Sequence, residues 1–166
     1  MLKIKIKSLS DNAKMPFKAY EKDFCYDCVA TSITDLGNGY YEYGLGFALQ
    51  FHKDLQYKDI TDMFDISIDI RPRSSIWKTG MIFTNSVGTG DDGYTGEYKV
   101  VMYHIDNTKP KYEVGDKVCQ IKVGMTPKVE FVAVSELSPT DRGANGYGST
   151  GATPPEGFTN IVLELS

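Results

Sequence analysis

The feature that most restricts this chain is a period of two. Apolar and β-branched residues alternate with polar ones, or run together over strand length, at residues 2–9, 24–30, 40–51, 66–70, 97–104, 117–123 and 128–134. Such patterning puts one set of side chains on one face of a pleated strand. The clusters Asp35-Leu36-Gly37-Asn38-Gly39, Thr89-Gly90-Asp91-Asp92-Gly93 and Val114-Gly115-Asp116 punctuate these runs, and their residue types tolerate turn backbone. Strands at this spacing without intervening helices predict an all-β fold, a sandwich or a barrel. Only two short helical pieces are expected, one within residues 53–64 and a single turn after Ser75 around Trp77. From Ser138 the composition shifts to Gly, Thr, Pro and Ser. That stretch is too glycine-rich to hold a packed element alone and reads as a mobile arm. The expected organisation is a β domain over residues 1–137, an arm over 138–151 and an extension over 152–166.

The chain has 166 residues, enough for one ordinary domain. Its 18 Lys and Arg against 22 Asp and Glu leave a formal charge of −4, which lacks the footprint of a duplex-DNA coater, so no direct nucleic-acid binding is expected. No apolar run approaches the length of a membrane span, and the alternating Leu-Lys-Ile-Lys-Ile-Lys start has no continuous apolar core of a secretory signal. A cytoplasmic protein without membrane contact is expected. Cys25, Cys28 and Cys119 are odd in number and too few for a disulfide framework. Cys25 and Cys28 form a C-x-x-C, but no second pair or nearby histidine completes a zinc set, and no helix pattern follows for a thioredoxin-like site. Buried thiols on a strand are the expectation.

Two glycine-rich stretches imitate nucleotide-binding signatures. Gly88-Thr89-Gly90-Asp91-Asp92-Gly93 spells G-x-G-x-x-G after a strand-like run at 81–84. The residues from Tyr94 to Tyr103, however, are β-branched and aromatic and do not open the helix that would hold a pyrophosphate. A hairpin turn is expected instead. Gly143 to Thr150 has the frame of a P-loop but carries Ser149 in place of its lysine, with no helix behind it. Both stretches keep one capability: bare backbone N–H groups approach an anion closely.

Other polar residues interrupt the strand logic. Asp27 breaks the apolar run 24–30; singly, it is an ordinary solvent-facing strand residue. Arg71-Pro72-Arg73-Ser74-Ser75 offers guanidinium forks and hydroxyls at a strand end, a natural phosphate clamp, although arginines after strands are common. Gln120 has an amide that donates to an anion or to water. It is their joint occurrence with a Gly-Ser-Thr arm that points to phosphate chemistry.

This set resembles the trimeric dUTP pyrophosphatase (dUTPase) family, whose five short motifs come in a fixed order. The first resembles Cys25-Tyr26-Asp27, the second Arg71-Pro72-Arg73-Ser74-Ser75, and the third the stretch from Asn85 through Gly88, Asp91 and Tyr94 to Glu97. Gly115-Asp116-Lys117-Val118-Cys119-Gln120 matches the fourth, and Arg142-Gly143-Ala144-Asn145-Gly146-Tyr147-Gly148-Ser149-Thr150-Gly151 the fifth. The resemblance implies a homotrimer of jelly-roll-like β-barrel subunits of the β-clip type with a mobile C-terminal arm. Each active site would draw on three chains: the third motif from one, the first, second and fourth from its neighbour, the fifth from the last. It implies hydrolysis of dUTP to dUMP and pyrophosphate with Mg2+, limiting uracil in DNA and supplying dUMP for dTMP synthesis.

By position, the resemblance makes Asp91 the general base for water attack at the α-phosphorus. Tyr94 would lie under the deoxyribose and exclude a 2′-hydroxyl, and backbone from Asn85 to Gly88 and on to Gly90 would pair with the uracil edge. Tyr147 would stack on the base with Gly148 beside it. Arg73, Ser74, Ser75, Gln120, Arg142, Ser149 and Thr150 would contact phosphate, and Asp27 would hold magnesium through water. The chain also departs from the pattern. Gly90 replaces an aliphatic residue before the catalytic aspartate, which predicts a looser hairpin. Cys25 stands where the family favours glycine, and Cys28 replaces a larger apolar residue. Residues 53–64 read as an inserted loop or helix, and 15 residues follow Gly151. A dCTP deaminase-related enzyme is the nearest rival, opposed by Tyr94 and the complete fifth motif. A dUTP-binding regulatory protein with weak turnover, working through the extra segments, is the rival from another class.

Overall fold

The structure is a computed structural model that describes residues 2–51, 62–146 and 151. Two compact units divide the chain, Met1–Val129 and Glu130–Ser166.

Among its described residues the first unit has ten strands: β1 Ile4–Ser8, β2 Tyr26–Val29, β3 Ser32–Gly37, β4 Tyr40–Gly44, β5 Phe47–Phe51, β6 Phe64–Arg71, β7 Met81–Phe83, β8 Gly88–Gly90, β9 Lys99–His104 and β10 Lys117–Pro127. Alternation works as expected in β6, where Ile66, Ile68 and Ile70 are buried and the residues between them are more exposed. Its partner β10 buries Val118, Cys119 and Ile121. Neighbouring strands are antiparallel throughout, in three sheets ordered β1-β5, β2-β10-β6-β8 and β3-β4-β9-β7. The core gathers between them around Tyr43, Leu45, Phe47, Ile68, Met102 and Val118.

The all-β expectation holds, with corrections. Among the described residues the sheets stay open and no closed barrel forms, because β2 and β8, like β3 and β7, end their sheets without pairing to each other. The run 40–51 is two strands. Gly46 adopts φ +70°, and a Cβ there would fall 2.7 Å from the Thr31 side chain, so the chain turns at this glycine. The Asp35 to Gly39 cluster is partly strand: β3 runs to Gly37 before the turn at Asn38. Residues 117–123 form a longer strand than expected, whereas 128–134 forms none; Lys128 N–H still donates to Met63 O at 3.0 Å, and the ladder stops there. Phe131, Val132 and Val134 are exposed. A period of two cannot make a strand without an edge to pair with.

The turn expected around Trp77 is a 3-10 turn, Ser74–Lys78. The piece expected within 53–64 lies outside the described residues apart from 62–64, and Phe64 opens β6. Cys28 and Cys119 are buried neighbours across β2 and β10, and Cys25, just before β2, is half-buried. Among the described residues no helix is long and apolar enough to cross a membrane.

In the second unit, Arg142 anchors a turn. Its Nε donates to Asn145 O at 3.1 Å, and Gly143 N–H donates to the backbone and hydroxyl oxygens of Thr140. Gly143 takes φ +53°. Tyr147, Gly148, Ser149, Thr150 and the extension 152–166 lie outside the described residues.

Candidate active site

Antiparallel register brings distant polar residues into one cluster. In β10, Gln120 faces Asp27 of β2 on one side and Arg71 of β6 on the other. Just past β6, Arg73 Nε donates to Asp27 Oδ1 at 2.9 Å, and its Nη1 reaches Ser75 Oγ at 3.4 Å and Lys117 O at 3.5 Å. Lys117 Nζ meets the other carboxylate oxygen of Asp27 at 3.0 Å. Gln120 Nε2 donates to Pro72 O at 2.8 Å. The Asp27 side chain is only 14% exposed, so its two cations replace hydration it has largely lost. Asp27, Arg73, Ser75 and Gln120 thus come together, while Ser74 stays exposed at the start of the 3-10 turn. Lys117 is a member that sequence reasoning did not single out.

A second group surrounds a cavity of about 590 Å³ between the β8 edge of one four-stranded sheet and β7 and β9 of the other. Asn85, Gly88, Asp91 and Tyr94 line it. The segment is not the expected hairpin. β8 pairs with β6, and β9 pairs with β4 and β7, so residues 91–98 cross from one sheet to the other. Tyr94 N–H donates to Asp91 O at 3.0 Å to close the turn, and Tyr94 Oη donates to Glu97 O at 2.8 Å. Gly96 leaves room for this fold-back, since a Cβ there would sit 2.7 Å from the Tyr94 hydroxyl. The Tyr94 ring is thereby held at both ends yet 47% exposed, presenting a face to the cavity. Asp91 is exposed, and its side chain has no hydrogen bond or ion pair among the described residues.

The cavity wall contains two further groups that sequence reasoning missed. Glu97 Oε1 accepts from Gly46 N–H at 3.0 Å and ties the crossing segment to the β4–β5 turn. Tyr98 is buried, packed edge-on to Tyr94 at 5.4 Å, and its phenol pKa is raised, chiefly by burial, with Tyr94 and Asp91 adding to the shift. Neither Asp27, Arg73, Ser75, Lys117 nor Gln120 lines the cavity. The structure therefore assembles two partial sites in one chain: an aspartate with an aromatic platform beside a cavity, and a cationic cluster with hydroxyl and amide donors.

The dUTPase family model matches residues 53–151. Among curated relatives, the deoxyuridine 5′-triphosphate nucleotidohydrolase of Helicobacter pylori (strain P12) is 31% identical over 156 residues, covering 92% of this chain and 99% of the relative. That of Clostridium novyi (strain NT) is 31% identical over 154 residues, covering 90% and 99%. Among solved structures, the dUTPase of Staphylococcus bacteriophage 80alpha with dUpNHpp aligns at TM-score 0.71 and 21% identity over 90% of this chain and 98% of that one. A dUTPase of phage phi11 of S. aureus, described with a structural Mg(II) ion, aligns at TM-score 0.64 and 17% identity over 82% and 99%. The two phage structures share the fold.

Proposed function

The chain belongs to the dUTPase family and is a dUTP diphosphatase; we propose that its two partial sites complete each other between subunits of a homotrimer, with Asp91 as the general base. The observation that carries this reading is the separation just described. The aspartate and its aromatic neighbour line one cavity, while every clamp residue within the first unit that phosphate chemistry needs lies outside it. A rotationally closed trimer would bring the cavity of one copy to the clamp of the next three times over.

In that site a water oxygen attacks the α-phosphorus, the bond to the bridging oxygen breaks, pyrophosphate departs and the water's proton passes to the Asp91 carboxylate. Asp91, exposed and with no side-chain partner among the described residues, is available for that role. Tyr94, fixed by its turn and by Glu97, supplies the ring on which a deoxyribose rests, and a ribose 2′-hydroxyl would meet that ring instead of a partner. Asn85 and Gly88 line the same cavity, and the backbone between them would take the uracil edge. Arg73, Ser74, Ser75 and Gln120 would hold the phosphates, with Arg142, Tyr147, Gly148, Ser149 and Thr150 of the arm closing over them. Water exclusion by such a closure would strengthen each charged contact.

Among the described residues no three His, Cys, Asp or Glu side chains converge, so a cation has no all-protein cage here. Mg2+ does not require one, since it keeps several waters and is held by one or two carboxylates with substrate phosphates. Asp27 fits that use: each carboxylate oxygen accepts one cation donor and keeps a lone pair for coordinated water. When bound, Mg2+ would neutralise triphosphate charge as it builds on the leaving group.

The experiment is Mg2+-dependent pyrophosphate release from dUTP, UTP, dCTP and dTTP, with mass by light scattering. Turnover of dUTP well above the other three by a protein of trimer mass is expected. Equal use of UTP would remove Tyr94 from its role, and ammonia from dCTP would restore the deaminase reading.

A further inference from the structure

Size decides what position 90 can hold. A Cβ built on Gly90 would lie 2.6 Å from Cε1, 2.7 Å from Oη and 2.9 Å from Cζ of Tyr98, nearer than non-bonded atoms approach. The ring has no easy retreat. It is 2% exposed, stacked on Phe47 at 6.1 Å and set edge-on to Tyr94. Its backbone is bonded too, N–H to Phe47 O and carbonyl from Leu45 N–H, both at 3.0 Å. The two positions therefore share one volume. A glycine where the family pattern has an aliphatic side chain leaves no gap here, because the Tyr98 ring fills the volume a side chain at 90 would take.

Packing accounts for the ring but not for its hydroxyl. Tyr98 Oη is buried and has no hydrogen-bond partner among the described residues. Phenylalanine would fill the same space without desolvating a donor. The residue lines the cavity that Asp91 and Tyr94 also line, and its phenol, like any tyrosine's, is a donor at neutral pH.

We infer that Tyr98 is a positioning residue of the nucleotide cavity: its hydroxyl, buried behind Gly90 without a partner, donates to an oxygen that arrives with the occupied cavity. That acceptor is a hydroxyl of the bound sugar or a water held by Asp91. The inference rests on the nucleotide-site reading given above. It has a signature that a structural tyrosine lacks, because removing the hydroxyl acts with opposite sign on the free and the occupied protein. In the free protein the change deletes an unpaired donor and keeps the ring; in the complex it deletes a bond.

The test compares the full-length wild type with Tyr98→Phe. Thermal unfolding is measured alone, with Mg2+ and dUpNHpp, and with Mg2+ and the 2′,3′-dideoxy counterpart of dUpNHpp; steady-state dUTP hydrolysis is measured alongside. The variant is expected to melt at the same temperature as the wild type or higher when free. It should bind dUpNHpp roughly 2- to 13-fold more weakly, the range for one neutral hydrogen bond, with a matching fall in kcat/KM. If the deficit vanishes with the dideoxy compound, the acceptor is the sugar 3′-hydroxyl; if it persists, the acceptor is the water. A free variant that melts lower would show that the hydroxyl already has a partner, and wild-type binding and turnover in the variant would show that it acquires none; either overturns the inference. The exchange Gly90→Ile with Tyr98→Val supplies a second protein, expected to fold where Gly90→Ile alone does not and to share the nucleotide deficit. A wild type that neither binds dUpNHpp nor cleaves dUTP would instead sink the functional reading beneath.

Discussion

The clamp and the cavity wall differ in how much of their hydrogen-bonding capacity the chain itself uses. In the clamp, Asp27 is bonded by Arg73 and Lys117, Arg73 also reaches Ser75, and Gln120 is held by Pro72 O. Around the cavity, Tyr94 is tied down, but the Asp91 carboxylate and the Tyr98 hydroxyl have no hydrogen-bond partner among the described residues. A cationic cluster must be internally satisfied before a triphosphate arrives, because unpaired charges held together and half-buried would repel and disfavour folding. The base role proposed for Asp91 has the opposite requirement: a partner that held both carboxylate oxygens would also compete for the water it must deprotonate. A satisfied cluster on one side and an unpartnered carboxylate on the other thus suit the two chemical tasks proposed for them.

The sharpest way to break this contrast is Asp91→Asn, which leaves shape and hydrogen-bonding size intact and removes the carboxylate proposed as the base. Turnover should fall about 100-fold or more while dUpNHpp still binds, read by steady-state kinetics with calorimetric binding. Next is Arg73→Lys, which keeps the charge but loses the fork that reaches Asp27, Ser75 and Lys117 O together. KM for dUTP should rise by roughly ten-fold or more, and an unchanged KM would mean that the clamp acts as a point charge. Gly90→Ala should destabilise by about 1–3 kcal/mol through overpacking against Tyr98, seen as a lower urea midpoint. The smallest effect belongs to Lys99→Ala. Its bond to Glu42 at 2.8 Å lies at the cavity but is 43% exposed on the lysine side, so a loss of no more than about 1 kcal/mol is expected in the same unfolding assay.

The legibility of the two regions follows their physics. The grouping around Asp27 was largely readable, because Asp27, Arg73 and Gln120 are polar residues that break or end clear apolar alternation in β2, β6 and β10, and the turn around Trp77 follows directly. Lys117 escaped notice since its bond to Asp27 spans 90 residues and only register reveals it. In the cavity, the residue types Asp91 and Tyr94 stood out, but the crossing from one sheet to the other did not: a Gly-Asp-Asp-Gly stretch has the composition of a hairpin, and pairing partners decide the difference. The exchange of bulk between Gly90 and Tyr98 is likewise a tertiary property, visible in sequence only as a missing side chain. The same limit explains 128–134, whose alternation is real and whose partner edge is not there.

The central claim is that base and clamp act on one substrate from different copies of the chain, and subunit mixing tests it directly. Asp91→Asn and Arg73→Ala proteins, each nearly inactive alone, are unfolded, mixed in equal amounts, refolded together and assayed for dUTP hydrolysis. If neighbouring subunits share each site, random assembly leaves about a quarter of the sites with both groups intact, and activity should return to about that fraction of the wild type. A refolded mixture that forms trimers but stays as inactive as its components would place both groups in the site of a single chain and contradict the account.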